Sequence, residues 1–295
     1  MSVPDGLIVI MGPTASGKSA MALELARQYG GEIVSADSMQ LYRDLPIGTA
    51  QPTAAERRAV PHHLVGIFDL DVRSDVYTYC ELAERAVADI LARGKVPVAV
   101  GGTGLYLHAL LYGLDPLPGD AELKRELDGQ YDDPARLAEL RARLEELGDA
   151  AVTEKFGNNR RRLIRALEVR LLTGRSILEL QAAQGNRLRR PLLLARKLEW
   201  PAEQLKQRIA RRTEEMLDAG WIEEARQVLA QGLLETPTAH QALGYRLIGQ
   251  YLAGEFSREE LKARIVTATW QYARRQRTWF RHNHPEAEAW PMGDA

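Results

Sequence analysis

The sequence contains one cysteine, Cys80, so no disulfide can form within the chain. A chain without internal disulfides is typical of a reducing compartment, and we expect a cytoplasmic location. The longest apolar runs, such as residues 7–11 and 96–100, are far shorter than the roughly 20 residues that span a bilayer. The first residues also lack the pattern of a signal peptide. We therefore expect no membrane partner.

Net charge is nearly absent as well, because 39 basic and 40 acidic residues leave a formal charge of −1. Taken alone, this balance argues against a polyanionic partner such as nucleic acid. The chain has 295 residues, of which 45% are hydrophobic and 27% are charged. This composition is that of an ordinary soluble protein of about two domains, and it excludes disorder, collagen and disulfide scaffolds.

Short apolar segments alternate with helical patterns in the first third of the chain. Residues 7–11, 32–36 and 96–100 each predict a buried strand. Strands that are apolar on both faces need cover on both, so we predict an α/β fold, a doubly wound parallel sheet with helices on both faces. Thr78 and Glu81 have the spacing of a capping box and predict the start of a helix.

The pattern changes near residue 115. Residues 115–190 show helical periodicity and heavy charge without a convincing strand, which predicts an all-helical insertion domain. Residues 192–194 predict a strand that returns to the sheet, and three helical patterns follow it. We therefore predict a discontinuous core formed by residues 1–114 and 191–295.

The clearest motif fits G-x-x-x-x-G-K-[ST], between the first predicted strand and a helix. Its members are Gly12, Pro13, Thr14, Ala15, Ser16, Gly17, Lys18 and Ser19. The backbone N–H groups of such a loop bind phosphate oxygens, Lys18 can neutralise them, and Ser19 Oγ can ligate Mg²⁺. The motif predicts a P-loop NTPase-like fold and a diphosphate or triphosphate ligand, and it is equally an ATP-binding signature. The alternative is a chance glycine-rich turn.

An acid is also expected beside the phosphates, because most P-loop enzymes carry one at the end of an apolar strand. Strand 96–100 ends in the glycine-rich turn 101–104 without a carboxylate, whereas strand 32–36 is followed by Asp37. Ligands bind at the carboxyl ends of parallel strands, so Asp37 is the best-placed acid. The alternative is that Asp37 only caps a turn with Ser38.

Eight segments, in order along the chain, resemble the tRNA dimethylallyltransferase family, bacterial enzymes that prenylate adenosine 37 of certain tRNAs. They are GPTASGKS (12–19), SADSMQLY (35–42), IGTAQP (47–52), PHHLV (61–65), GGTGLY (101–106), NRRRLIRALEV (159–169), QALGYR (241–246) and YARRQRTWFR (272–281). The resemblance covers about residues 7–282. Gln51 departs from the family pattern, in which lysine is usual, so no cationic role is implied there.

The resemblance implies transfer of a dimethylallyl group from dimethylallyl diphosphate to N6 of adenosine 37, in tRNAs that read codons starting with uridine. The P-loop would hold the donor's diphosphate, and Mg²⁺ on Ser19 would assist. Pyrophosphate gathers negative charge as it departs, so Lys18 and a second cation fit a stabilising role. Arg208 and Arg212 lie one helical turn apart, and the resemblance favours Arg212. The alternative is that both are solvated surface residues.

The attacking amine must lose a proton, and we predict that Asp37 is the general base. The resemblance also implies a catalytic role for Thr103, as a hydrogen-bond partner of the departing oxygen or of the tRNA backbone. Gln40 is a candidate for reading a base edge. The predicted tRNA-binding residues are Asp37, Ser38, Met39, Gln40, Thr103, Arg161, Arg162, Leu163, Ile164, Arg165, Gln241, Arg274, Arg275 and Arg277.

The charge is segregated by sign. Residues 160–190 contain nine arginines and two acids, whereas residues 120–155 contain eleven acids and six bases. Residues 271–284 contain four arginines and no acid, interleaved with aromatic residues. Such clusters suit phosphate contacts and base stacking, here with a tRNA anticodon stem-loop. The alternative is a solvated helix face beside a core aromatic stripe, and Trp279 and Phe280 fit the core better.

Two other functions stay open. One is a small-molecule or nucleotide kinase with ATP in the P-loop, and the other is an RNA-binding ATPase without covalent chemistry. The turn GGTGLY favours prenyl transfer, because a kinase would often place a Mg²⁺-binding acid there. His62 and His63 suggest a metal site, although adjacent histidines without further ligands are more typical of structure. We expect a monomer, although the sequence does not determine the oligomeric state.

Overall fold

The computed structural model describes residues 6–114, 117–184 and 187–293. Contacts between residues divide the chain into two units, one formed by Met1–Gly113 with Leu188–Ala295 and the other by Leu114–Arg187. The predicted start of the insertion at residue 115 lies outside the described residues. The same holds for the first five residues, for which no signal peptide was predicted.

The first unit contains a six-stranded sheet in which every pair of neighbouring strands is parallel. Its strands are Leu7–Met11 (β1), Glu32–Ser35 (β2), His62–His63 (β3), Pro97–Gly101 (β4), Leu192–Glu199 (β5) and Glu288–Pro291 (β6). Their order across the sheet is β3-β2-β4-β1-β5-β6. The central strand β1 pairs with β4, where Ile8 lies opposite Val98, and with β5, where Ile8 lies opposite Leu194. The predicted parallel α/β fold is confirmed.

Helices lie between these strands along the chain. They are Lys18–Gln28 (α1), Ala54–Ala59 (α2), Val76–Ala92 (α3), Gly104–Tyr112 (α4), Ala121–Tyr131 (α5), Leu137–Glu146 (α6), Ala150–Phe156 (α7), Arg160–Thr173 (α8), Ile177–Gln184 (α9), Ala202–Asp218 (α10), Trp221–Ala230 (α11), Tyr245–Leu252 (α12) and Arg258–Asn283 (α13). Among the described residues, no helix is long and apolar enough to cross a membrane.

The alternation of side chains along β1 explains why helices cover both faces of the sheet. Leu7, Val9 and Met11 join one core cluster with residues of α3 and α4, whereas Ile8 and Ile10 join another with residues of α1. Successive side chains of a strand point to opposite faces, so an entirely apolar strand has two surfaces to bury. All five of these side chains are fully buried.

A second core in the same unit joins the C-terminal helices to the loop after β2. Trp221 of α11, Tyr245 of α12 and Ile265 of α13 pack with Tyr42 and Leu45 of that loop. This packing fixes the loop that carries SADSMQLY. The other unit has its own core, in which Leu140, Leu144, Leu163 and Leu167 are buried among helices α5 to α9.

Three features of the fold differ from the sequence-based expectations. Helix α3 begins earlier than the predicted capping box, because the Asp75 carboxylate accepts a hydrogen bond from the Thr78 N–H at 2.9 Å. Thr78 is thus inside the first turn, and that prediction was wrong. Strand β5 runs to Glu199, well beyond residue 194. Strands β3 and β6 were not predicted, since two histidines and an exposed four-residue segment carry no apolar pattern.

Strand β2 contains a buried acid, which its apolar pattern did not predict. Glu32 is 1% exposed, and its carboxylate pairs with Arg93, with Lys95 at 3.1 Å and with His63 at 2.7 Å. The hydrogen bond from Arg93 lowers the pKa of Glu32, and those from His63 and Lys95 add to this, against the opposing effect of burial. Three basic partners therefore keep a buried carboxylate charged.

Replacing Glu32 with glutamine should destabilise the protein by about 3 kcal/mol at pH 7, because three basic groups lose a buried partner. A carboxylate with a lowered pKa stabilises the fold above its unfolded pKa, and this contribution is lost as pH falls toward the folded value. The difference between wild type and Glu32→Gln should therefore shrink toward acidic pH. Urea unfolding at pH 7 and at pH 3 measures both effects.

The control is Glu81→Gln, which removes the exposed partner of Arg85 one turn along α3. Exposed ion pairs contribute about 0–1 kcal/mol, so this variant should resemble the wild type. Equal losses for Glu32→Gln and Glu81→Gln would contradict the importance of the buried cluster.

Candidate active site

The motif at residues 12–19 contains the loop that connects β1 to α1, residues 12–17, and this loop turns sharply before the helix begins. Gly17 precedes α1 with a φ of 89°, and Ala15 has a φ of 61°. A left-handed φ is uncommon for alanine and indicates a backbone held in place by its surroundings. Turns of this kind direct neighbouring N–H groups into one concavity, which is an anion-binding geometry. The loop therefore has the backbone conformation suited to phosphate.

Two side chains on and just before α10 hold this loop. Arg208 donates its Nε–H to the Ala15 carbonyl at 2.8 Å, and Trp200 donates its Nε1–H to the Ser16 carbonyl at 2.9 Å. The guanidinium carbon of Arg208 lies 4.2 Å from the centroid of the Trp200 ring, a cation–π contact. Arg208 is thus hydrogen-bonded to the loop backbone, whereas Arg212, one helical turn further on, lines a cavity.

This cavity has a volume of about 330 Å³ and lies beside the loop, at the carboxyl ends of β1 and β2. Asp37, Arg212, Gln241 and Arg275, all predicted site residues, share its wall. Its other predicted members are Thr14, Ala15, Ser38 and Met39. The apolar part of the wall consists of Ile209, Met216, Trp221, Leu243 and Ile265. The cavity can therefore hold a ligand with one charged and one apolar end.

Charges of both signs meet where the loop borders the cavity. The pKa of Lys18 is lowered to about 8, chiefly by burial and then by the charge of Arg212, while Asp37 acts in the opposite direction. Burial likewise lowers the pKa of Arg212, and Asp37 opposes that shift. Two cations therefore repel each other here with one carboxylate beside them. A bound anion would relieve this repulsion.

Asp37 is fixed by the turn that it begins. One of its carboxylate oxygens accepts a hydrogen bond from the Met39 N–H at 3.0 Å. Asp37 therefore does cap a turn that contains Ser38, which was the alternative role predicted for it. The Ser38 N–H donates to Thr103 Oγ1 at 3.1 Å, which joins this turn to the start of α4. Thr103 is not among the residues that line the cavity, and it supports the turn through this hydrogen bond. The capping contact thus orients Asp37 without removing it from the cavity.

Tyr272 of α13 is a cavity residue that sequence analysis noted only as an aromatic neighbour of arginines. Burial raises its pKa and the Asp37 carboxylate raises it further, while Thr103 and Arg275 act in the opposite direction. The guanidinium carbon of Arg275 lies 5.8 Å from the Tyr272 ring centroid. Tyr272 is thus a neutral O–H group close to Asp37. Its position in the sequence does not distinguish it from a core aromatic residue.

Gln40 and Ser19 border a second cleft, of about 70 Å³, instead of the main cavity. The Gln40 amide donates to the Thr49 and Ala50 carbonyls at 3.2 and 3.0 Å, and its oxygen accepts from the Ser35 hydroxyl at 2.9 Å. Both amide N–H groups are therefore occupied. Gln40 braces its neighbours in this conformation, and reading a base edge would require breaking those hydrogen bonds.

Glu224 of α11 fixes another part of the cavity wall, and sequence analysis missed it. Its carboxylate accepts hydrogen bonds from the Ile47 and Gly48 N–H groups at 2.7 and 2.9 Å and from the Tyr245 hydroxyl at 2.6 Å. A Cβ at Gly48 would lie 2.3 Å from the Tyr245 oxygen, so only glycine fits there. One acid in an amphipathic helix gives no sequence signal for a loop 176 residues away.

Some of the arginines predicted to bind tRNA have exposed side chains, and others do not. On α13, Arg274 and Arg275 are exposed and Arg277 is half-buried. In the unit formed by Leu114–Arg187, Arg161 and Arg162 are exposed in the first turn of α8.

The next three residues of α8, Leu163 to Arg165, do not present free side chains to solvent. Leu163 and Ile164 are 0% and 4% exposed, because the helical period turns them into the core of that unit. Their side chains are therefore not available for the predicted tRNA contacts. Arg165 donates to Glu168 at 2.6 Å and to the Leu117 carbonyl at 2.8 Å, so it braces the unit internally.

His62 and His63 have separate structural partners. His63 pairs with Glu32, and the Nδ1 atom of His62 lies 2.8 Å from the Val60 carbonyl oxygen. Within residues 6–114, 117–184 and 187–293, no three His, Cys, Asp or Glu residues group together in a way that could hold a metal ion. These contacts support the structural interpretation of both histidines.

The parallel sheet, the loop with phosphate-binding backbone geometry and the adjoining cavity define a P-loop-like α/β protein. A family model described as IPP transferase matches residues 40–283, and one described as isopentenyl transferase matches residues 5–63. The chain belongs to the IPP transferase family.

Individual relatives agree with this assignment. The tRNA dimethylallyltransferase of Geobacter metallireducens is 46% identical over 280 residues, which cover 94% of this chain and 90% of the relative. The tRNA dimethylallyltransferase 1 of Citrifermentans bemidjiense is 44% identical, with 93% and 88% covered.

Solved structures are similar over almost the whole chain. A tRNA isopentenylpyrophosphate transferase from Bacillus halodurans has a TM-score of 0.71 at 34% identity, covering 99% of this chain and 91% of that one. A eukaryotic dimethylallyltransferase, described as acting on tRNA, has a TM-score of 0.82 at 27% identity, with 98% and 74% covered.

The lowered pKa of Lys18 predicts how the affinity for inorganic pyrophosphate depends on pH. Lys18 carries its charge below pH 8 and loses it above, so affinity should fall as pH rises through about 8. Pyrophosphate itself also titrates, and Lys18→Arg controls for this because arginine stays charged. Titration calorimetry between pH 6.5 and 9.5 should show a steeper loss for wild type than for Lys18→Arg. Parallel curves would contradict the role of Lys18.

Proposed function

We propose that the protein transfers the dimethylallyl group of dimethylallyl diphosphate to N6 of adenosine 37, in tRNAs that read codons starting with uridine, and releases diphosphate. The cavity in which Asp37, Arg212 and the phosphate loop meet beside an apolar wall carries this proposal. The similarity to tRNA dimethylallyltransferases supports the reaction class.

The donor fits the two ends of the cavity. The phosphate loop, Lys18 and Arg212 bind its diphosphate, and the wall that includes Trp221 and Ile265 surrounds the dimethylallyl group. In the reaction, the C–O bond to diphosphate breaks as a C–N bond forms to N6, and the leaving oxygen gains negative charge. Cations held in place before the reaction stabilise that charge without reorganising, which lowers the barrier.

Mg²⁺ is the metal that we propose for this site. Ser19 is exposed in the first turn of α1, so its hydroxyl is accessible as an oxygen donor after the phosphate loop. Mg²⁺ prefers oxygen ligands, and beside substrate phosphates it takes few of them from the protein and keeps several waters. In this structure Ser19 borders the second cleft and not the main cavity, so it would share the ion with diphosphate oxygens that lie along the phosphate loop. When bound, the ion neutralises part of the diphosphate charge.

Asp37 accepts the proton that N6 loses. The amine lone pair is delocalised into the adenine ring, so a base hydrogen-bonded to the N–H assists attack. The turn held by Met39 and Thr103 orients the carboxylate toward the cavity, and Tyr272 lies beside it.

The polyanionic partner is the anticodon stem-loop of tRNA. The exposed arginines on α13 and at the start of α8 contact its phosphates, and adenosine 37 flips out of its stack to reach the cavity. Residues 115–190 form a helical tRNA-contacting domain, and residues 1–114 with 191–295 form the catalytic core. The protein acts as a monomer in the cytoplasm.

A labelling experiment tests the reaction. The protein is incubated with Mg²⁺, a tRNA that contains adenosine 37, and either labelled dimethylallyl diphosphate or labelled ATP. Label should pass from the prenyl donor to the tRNA, and a tRNA with guanosine at position 37 should stay unlabelled. Phosphoryl transfer from ATP would indicate a kinase, and ATP hydrolysis alone would indicate an RNA-binding ATPase.

Asp37→Asn should lower the single-turnover rate by about 10³-fold, because the amide cannot accept the proton. Asparagine keeps an oxygen for the Met39 N–H, so the turn is preserved. Binding of tRNA, measured by filter binding, should change little. Asp71→Asn, at an exposed position, is the control. Equal losses of rate and of tRNA affinity would argue against Asp37 as the base.

Affinity for tRNA should fall steeply with salt, since phosphate contacts release counterions. Arg274→Gln and Arg161→Gln should each weaken binding and lower the slope of log affinity against log salt by about 1. Arg58→Gln, at an exposed position of α2 outside the proposed surface, should leave the slope unchanged. Binding that is insensitive to salt would refute this surface.

A further inference from the structure

Gln276 lies within α13 and is 5% exposed. Its side-chain oxygen accepts a hydrogen bond from the Thr14 N–H at 2.8 Å, and its side-chain nitrogen donates to the Gly102 carbonyl at 2.8 Å. Thr14 belongs to the phosphate loop, and Gly102 belongs to the turn after β4. A single buried amide thus joins two loops that are 88 residues apart in sequence.

Helix α13 packs closely against the turn after β4 and the first residue of α4. A Cβ at Gly102 would lie 2.3 Å from the Gln276 side-chain nitrogen, and one at Gly104 would lie 2.0 Å from the Trp279 ring. Contacts of that length do not occur, so a side chain at Gly102 would displace the Gln276 amide and one at Gly104 would displace the Trp279 ring. The helix therefore lies directly on the turn, and the amide of Gln276 has little freedom to move.

The turn after β4 continues this connection to the loop after β2. The Thr103 N–H donates to the Ala36 carbonyl at 3.1 Å, and Thr103 Oγ1 accepts from the Ser38 N–H at 3.1 Å. Asp37 lies between Ala36 and Ser38 in the sequence. A continuous chain of hydrogen bonds therefore runs from the phosphate loop through Gln276 to both neighbours of Asp37.

We propose that Gln276 is a positioning residue that holds the phosphate loop and the Thr103 turn at a fixed separation, and so aligns the diphosphate of the donor with Asp37. The proposal rests on the proposed function. The position needs one acceptor and one donor at once, which an amide supplies. A carboxylate supplies only acceptors, and methionine replaces both polar groups with an apolar chain of similar length.

The first test compares Gln276→Met with Gln271→Met. Gln271 is an exposed residue of the same helix, so its variant controls for the change of side chain. Gln276→Met should lower the single-turnover rate at saturating donor and tRNA by about 10²-fold, since misplacement by about 1 Å can cost that much. Its affinity for tRNA should stay within twofold of wild type. Unchanged rates would overturn the proposal.

A second variant separates positioning from general loss of structure. Gln276→Glu keeps the acceptor for the Thr14 N–H, and its acid regains a donor for the Gly102 carbonyl when it is protonated. Burial favours the protonated form of a carboxyl group. The rate of Gln276→Glu relative to wild type should therefore rise as pH falls from 8 to 6. A constant ratio would overturn the proposal, even if Gln276→Met were too unstable to assay.

A double-mutant cycle tests the route through the Thr103 turn. If Gln276 acts by placing this turn, the effects of Gln276→Met and Thr103→Ala on the single-turnover rate should be strongly non-additive. Additive effects would mean that Gln276 does not act through Thr103. An inactive wild type would refute the proposed function itself, whereas an active wild type with an equally active Gln276→Met refutes only this inference.

Discussion

The parallel arrangement of the strands is the constraint on which the rest of the site depends. Because β1, β2 and β4 run in the same direction and are neighbours, the loops that follow them emerge at one edge of the sheet. The phosphate loop, Asp37 and Thr103 each follow one of these strands. Strand pairing thus brings residues that are far apart in sequence to one edge of the sheet, independently of the contacts between their side chains.

Loops at the edge of a sheet expose backbone polar groups that need partners. Here long side chains from the C-terminal helices provide them: Arg208 binds the Ala15 carbonyl, Glu224 binds the Ile47 and Gly48 N–H groups, and Gln276 binds two loops at once. These helices also build the apolar wall of the cavity. The same elements therefore enclose the site and fix its geometry.

Two acids near opposite ends of β2 differ in role because their surroundings differ: one stabilises the fold and the other lies in the cavity. Glu32, at the first position, is buried and matched by three basic groups, which keeps it charged and unavailable. Asp37, two residues past the last position, lies in a cavity beside Lys18 and Arg212 with one oxygen held by a turn. The near-zero net charge of the chain is likewise an average over acidic and arginine-rich segments.

The sequence by itself determined the features encoded by neighbouring residues: the phosphate loop, the central strands, the helical stretch after residue 114 and the arginine clusters. It also carried the motifs that identify the family. Only the tertiary structure decided which polar side chains brace the loops, because Gln276 and Glu224 act on backbone groups that packing brings to them. It also showed that Leu163 and Ile164 face a core and that the amide of Gln40 is already bonded. Local spacing specifies local backbone conformation, whereas a contact between distant residues exists only once the helices have packed on the sheet.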